Sequence, residues 1–317
     1  MSLAAYEDKI KRLVVNVSGG RASPHKLCML LAVLDLARAG ALPRNEILFA
    51  PPLLERYNRF FKAVRAGQNH PNPYFPFFHL SGRLRGGQAS FWRLRALPGR
   101  ESILAALHTA RSSADIMSNV ACATLDPDLF ALLQDERAID SLAETIAQHW
   151  LKRGLEDLLA IAQLSRLSSR YERALREPDV HVLAESLPPP YVRDRAFRSV
   201  VVEAYDYRCA ATGMRVVLSS GEAMVEAAHI HPFNVAGDDD PRNGIALSPD
   251  MHWAMDMFLI APGPDFKWHV SPVLDNRIPD YRVLLDIDGK PLIFPKETRF
   301  VPKQESLKWR HARLRSA

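Results

Sequence analysis

The segment EAAHIHP, residues 226–232, sets His229 and His231 two residues apart and closes them with Pro232. On a strand, side chains at i and i+2 share a face. The two imidazoles then point one way, and Glu226 and Ala228 share the other face. Pro232 ends the ladder, because it has no N–H to donate. Downstream, Gly237 and the acidic run before Pro241 read as a loop, and Asn243-Gly244 as a tight turn into the short strand IAL. SPDMHWAMDMF then reads as a helix capped by Ser248, with Pro249 at its first position. That spacing stacks His252 and Asp256 at i and i+4 on one face as two candidate metal ligands. Strand, loop, strand and helix make a small ββα unit able to hold one divalent ion. Each residue alone also reads as a surface or satisfied core group, so it is their ordered coincidence that points to chemistry.

Residues 190–262 resemble the HNH (ββα-metal) nuclease family in its AAHI branch, through YRCAATGM, EAAHIHPF, RNGIALSPDMHWAMD and FLIA. The resemblance implies His229 as general base, Asn243 as the residue that orders the loop, and His252 with Asp256 as metal ligands. It implies one divalent ion, Mg²⁺ or Mn²⁺ first, with Ni²⁺, Co²⁺ or Zn²⁺ also open to an imidazole. Where the family usually carries a further ligand just before the base, this chain has Ala228. Glu226, His231, added water or a phosphate oxygen are the candidates to complete the shell. Cys209 stands alone in its region, without the paired Cys-x-x-Cys of many relatives, so no structural zinc is expected. Arg193, Arg195 and Arg198 precede the motif and read either as a grip on the DNA backbone or as a solvated face.

At 317 residues with 47% hydrophobic content, the chain is long enough for two domains with cores of their own. LCMLLAVLDLA at 27–37 is too short and too charged for a membrane span. MSLAAYEDKIKRL lacks the apolar core of a signal peptide, and Cys28, Cys122 and Cys209 lie far apart in sequence. These features suit a cytoplasmic protein without disulfides. The net charge of +5 favours a polyanionic partner. SGRLRGGQASFWRLRALPGR, at 81–100, carries five arginines and no acid. Arg83, Arg85, Arg93 and Arg95 are therefore candidate DNA contacts, and the tail KWRHARLRSA is basic again.

The elements that must position these groups follow from periodicity. Residues 6–18 and 25–38 read as helices, the second with Leu27, Leu30, Leu31 and Leu34 as its core stripe, and LLERYNRFFKAVRAG as a third. The prolines of QNHPNPYFPFFHL lead to a hairpin expectation with FFHL and SFWRL as strands, and 101–176 reads as helical throughout. Residues 1–100 resemble the specificity domains joined to HNH restriction enzymes, notably the sulphur-binding domains that recognise phosphorothioate DNA, through PHK, LLAVLDLA, PYFPFFHL and FWRL. This implies a pocket for a modified group built from Tyr74, Pro76, Phe77, His25 and Lys26, although Phe75 here separates Tyr74 from Pro76. Phe77, Phe78, Phe91 and Trp92 also read as core, which is the leading role of aromatics in small domains. His25 and Lys26 equally suit a solvated helix start.

The expected fold is α+β. Residues 1–110 form a helix-and-hairpin recognition domain, 111–187 a helical connector ending in a proline-rich linker, and 188–317 the nuclease domain with its basic tail. The expected function is that of a metal-dependent endonuclease of the modification-dependent (type IV) kind, acting on double-stranded DNA, with a homodimer as one option and no membrane partner. The alternatives are a DNA-binding or interaction protein with a degenerate HNH unit, motivated by Ala228, and a nuclease toxin.

Overall fold

A computed structural model describes residues 1–18, 21–64, 70–151, 157–177 and 188–316. The proline-rich linker expected to end at residue 187 lies, over 178–187, outside the described residues. The chain divides into two compact units, Met1–Arg173 with Ser219–Glu222, and Ala174–Leu218 with Ala223–Ala317. The helices expected to form a connector belong to the first unit as far as Arg173.

The first unit runs α1 (Leu3–Lys11), β1 (Val17–Ser18), β2 (Arg21–Ala22), α2 (His25–Arg38), α3 (Pro51–Val64), α4 (Tyr74–His79), β3 (Trp92–Ala96), α5 (Glu101–Ala106), α6 (Ser113–Asn119), β4 (Val120–Leu125), α7 (Pro127–Leu132), α8 (Glu136–Leu151) and most of α9 (Asp157–Arg176). Its centre is α2, where every residue from Leu27 to Arg38 is buried and not merely the predicted leucine stripe. A helix buried on all sides must satisfy its charges internally. Asp35 accepts from Arg56 Nε at 3.0 Å, Arg59 at 2.6 Å and the Ser165 hydroxyl at 2.6 Å, and Arg56 also forks onto Glu172 at 2.6 and 2.7 Å.

Two expectations fail here. FFHL is not a strand but the end of α4, whose Pro73 cap and Pro76 fall in the first turn, where N–H groups have no intrahelical acceptor to lose. The partner of β3 comes instead from the stretch read as helical. A Ser112–Asp115 capping box starts α6, the helix stops at Asn119, and VACATL continues as β4, pairing Trp92 with Leu125 and Leu94 with Ala123. Phe77, Phe91 and Trp92 take the core role, and the Trp92 indole donates to the Phe77 carbonyl at 3.0 Å.

The second unit contains α10 (Pro190–Ala204), β5 (Glu226–His229), α11 (Phe233–Ala236), β6 (Gly244–Leu247), α12 (Pro249–Asp256), β7 (Ile260–Pro262), β8 (Trp268–Val270), α13 (Arg282–Leu285) and α14 (Gln304–His311). Strands β5 and β6 pair antiparallel from Glu226–Leu247 to His229–Gly244, and α12 follows at once, which is the expected ββα order. α10 packs its Val192, Phe197, Val200 and Val201 side of apolar residues beneath the hairpin. Ser248 stands at the cap position, but its hydroxyl donates to Cys209 Sγ at 3.5 Å and accepts from no N–H of the helix. The basic C-terminal segment is α14, docked on β7 and not a free tail.

Candidate active site

His229 is the last residue of β5, half-buried, its ring parallel to Phe197 at 3.9 Å between centroids and 3° between planes. Nε2 meets Asp239 Oδ1 at 3.0 Å, and the second oxygen of Asp239 accepts from Arg193 at 3.1 Å. The Arg193 guanidinium lies 3.8 Å over the Phe233 ring. Arg193 is therefore buried in the site, serving Asp239 and not a solvated face. Asp239 sits in the acidic run read as loop, where no spacing or motif singles it out from Asp238 or Asp240.

Asn243 is wholly buried and stitches the loop. Its Oδ1 accepts from His231 N at 2.9 Å, and Nδ2 donates to the carbonyls of His231 at 2.8 Å and Asp238 at 3.0 Å. Gly244 is required for space: its backbone is extended, and a Cβ would lie 2.4 Å from Val201 and 2.8 Å from Phe197. His231 has left the strand. Its ring stacks on Trp309 of α14 at 4.1 Å, while Arg313 covers Trp309 at 3.9 Å. Burial and the cations Arg313 and Arg310 push the His231 pKa down, and its Nε2 is enclosed without a partner. The two histidines therefore pack on different helices instead of forming one face.

On α12, His252 Nε2 lies 3.5 Å from Asp256 Oδ2 at i+4, and Nδ1 meets Glu226 Oε2 of β5 at 2.8 Å. Glu226 shares a strand face with Ala228, one step along, so it reaches the helix where Ala228, fully buried, offers no donor. Among the described residues no group of three or more His, Cys, Asp or Glu side chains is arranged to hold a metal ion. The imidazole stands between two carboxylates that are half-exposed, 51% for Glu226 and 52% for Asp256. One imidazole and two half-exposed carboxylates are donors of the type that a partly hydrated divalent ion takes.

Strand end and helix are joined by Arg310, which sequence reading placed in a basic tail and which is wholly buried. Its guanidinium donates to the carbonyls of Ile230 at 2.6 Å, His229 at 3.0 Å and Met255 at 3.1 Å. Burial lowers its pKa to about 10, against the pull of Asp256.

In the first unit, a cavity of about 290 Å³ is lined by Val14, Val15, Asn16, Ser23, His25, Lys26, Phe75 and His79. Because 74–79 is helical, Phe75 and His79 share a face with centroids 4.3 Å apart, while Pro76 and Phe77 are buried and Tyr74 packs against the core. Of the expected pocket residues, His25 and Lys26 line the cavity. Burial lowers the pKa of both, and burial with Lys26 nearby lowers that of His79. His25 Nε2 donates to the His70 carbonyl at 3.0 Å, leaving Nδ1 to accept from Ser23 at 2.8 Å. Of the arginines at 83–95, Arg93 pairs with Asp126 and Arg95 with Glu46, while Arg83 and Arg85 stand exposed. Arg195 and Arg198 on α10 are half-buried.

Residues 209–261 match the family model of HNH endonucleases. A solved structure described as a modification-dependent TagI restriction endonuclease is 20% identical, with a TM-score of 0.30, over 37% of this chain and 37% of that one. No curated protein matches the chain. No helix among the described residues is long and apolar enough to cross a membrane.

Proposed function

We propose that the HNH endonuclease domain at 209–261 hydrolyses phosphodiester bonds of double-stranded DNA with His229 as general base, and that the first unit directs it to modified DNA. The observation that carries the reading is the pairing, across one ββα unit, of a buttressed strand-end histidine with the Glu226, His252 and Asp256 group, the two tied together by Arg310. His229 takes a proton from the attacking water, with its ring held by Phe197 and Asp239. Glu226, His252 and Asp256 would hold the divalent ion. When bound, that ion supplies positive charge to the phosphate oxygens and the departing 3′ oxygen. Asn243 keeps the loop between the two strands in register, so the base stays at the mouth of the site.

Recognition of the modification is assigned to the 290 Å³ cavity. Val14, Val15 and Phe75 give it apolar walls, Lys26 gives it a cation, and the exposed Arg83 and Arg85 would add backbone contacts, which suits an altered phosphate such as a phosphorothioate. The test is digestion of phosphorothioate-modified and unmodified plasmid with Mg²⁺, Mn²⁺ or EDTA. Cleavage of modified plasmid alone, abolished by EDTA, supports the reading. Binding without cleavage under either ion supports instead a degenerate HNH unit, the rival that the buried Ala228 raises.

A further inference from the structure

We infer that Asp239 is the positioning residue for the base, holding His229 with its proton on Nε2 so that Nδ1 is the atom that receives the proton of the attacking water. The inference rests on the reading of His229 as base. Two observations, joined by the chemistry of the two groups, lead to it. Asp239 is 7% exposed, and its carboxylate meets His229 Nε2 through one oxygen and Arg193 through the other. A carboxylate held against a guanidinium is ionised and accepts at both oxygens, so the proton in the His229 contact sits on the imidazole nitrogen. In neutral imidazole only one nitrogen carries hydrogen, which leaves the lone pair on Nδ1. Among the described residues Nδ1 has no hydrogen-bond partner, and it is not one of the enclosed unpartnered atoms, whereas His231 Nε2 is.

The surroundings keep the ring in that pose. Phe197 lies flat against one face at 3.9 Å and Phe233 stands tilted at 6.0 Å, which fixes the plane of the ring, and within that plane a ring flip would break the Asp239 contact. Arg193, fixed over Phe233, stops the carboxylate from turning away. In the reaction the water proton passes to Nδ1 as the water oxygen forms its bond to phosphorus. The bond from phosphorus to the 3′ oxygen breaks, and that oxygen takes a proton from solvent. The ionised Asp239 then faces an imidazolium, so it stabilises the form that develops during the step as well as orienting the ring.

The experiment joins two readouts on the full chain. Long-range ¹H–¹⁵N correlation spectra of the free protein should show His229 protonated on Nε2 in the wild type, and a mixed or reversed tautomer in Asp239→Asn. Single-turnover cleavage by Asp239→Asn should fall about 10- to 100-fold at saturating DNA with KM unchanged, a usual cost of losing such a partner, and Asp239→Glu should recover part of it. A wild-type His229 protonated on Nδ1 overturns the inference, whatever the rates. So does Asp239→Asn cleaving at the wild-type rate with its tautomer unmoved. Should Asp239→Asn fail to fold, the wild-type tautomer alone decides. If His229→Ala cleaves like wild type, the base assignment falls, while the tautomer still reports whether Asp239 sets the ring.

Discussion

Replacing Arg310 by methionine removes three donors from the seam between the base strand and the α12 helix. Met255 O keeps the Phe258 N–H as a second donor at 3.0 Å, so the loss falls chiefly on the carbonyls of Ile230 and His229. A buried acceptor left without its donor costs about 1–3 kcal/mol, which puts two at about 2–6 kcal/mol. Arg310 is itself wholly buried, and the depression of its pKa to about 10 shows that its charge bears a desolvation penalty that methionine escapes. The net cost should therefore lie near the low end, about 2–3 kcal/mol. Urea denaturation followed by the fluorescence of Trp253, Trp268 and Trp309 measures it. The midpoint should fall with little change in slope. Cleavage under conditions where the variant is fully folded should drop further than binding, because the strand end and helix lose their shared anchor. Arg310→Lys should recover little, since one ammonium cannot fork across three carbonyls. Wild-type stability in Arg310→Met would refute the claim that this guanidinium joins the two halves of the site.

Calorimetric titration with Mn²⁺ should show weakened binding in His252→Ala, Asp256→Ala and Glu226→Ala, with the third effect separating Glu226 from a mere partner of His252; unchanged affinity in all three would put the ion elsewhere. His231→Ala should slow single-turnover cleavage by at most about tenfold, roughly one hydrogen bond's worth of stabilisation, and a variant as inactive as His229→Ala would make His231 a member of the site. Asp35→Asn should destabilise the first unit by about 3 kcal/mol near pH 7, the usual scale for breaking a buried ion pair. Burial alone would raise the Asp35 pKa, but Arg59, Arg56 and the Ser165 hydroxyl bring it below the usual carboxylate value. That stabilisation is present above the unfolded carboxylate's pKa of about 3.9 and is lost as pH falls through the lower folded value, so the gap between variant and wild type should close in acid; a pH-independent gap would contradict the assignment.

The ββα unit was legible because its signals are local. EAAH alternates, Asn243-Gly244 marks the re-entry to a strand, and Ser-Pro opens a helix that sets His252 four residues from Asp256. What escaped comes from distance along the chain. Arg310 lies 81 residues from His229, and nothing in KWRHARLRSA separates the arginine that is buried from those that are solvated. Asp239 is one of three consecutive aspartates, and only the three-dimensional approach of α10 selects it. In the first unit, VACATL has the small residues of a helix, and the strand pairing with Trp92–Ala96 overrides that preference. The proline-broken PYFPFFH reads as extended until Pro73 is seen as the cap and Pro76 in the first turn, and only then do Phe75 and His79, not Tyr74 and Phe77, face the cavity.

The central claim is that His229 moves the proton in a metal-supported hydrolysis, and single-turnover cleavage of one phosphorothioate-modified duplex by wild type and His229→Ala tests it most directly, alongside fluorescence anisotropy for binding. The variant should cleave at a rate lower by about two to four orders of magnitude, bind DNA within about threefold of wild type because the basic surface is untouched, and neither protein should cleave in EDTA. A His229→Ala protein that cleaves at the wild-type rate in Mn²⁺ would contradict it.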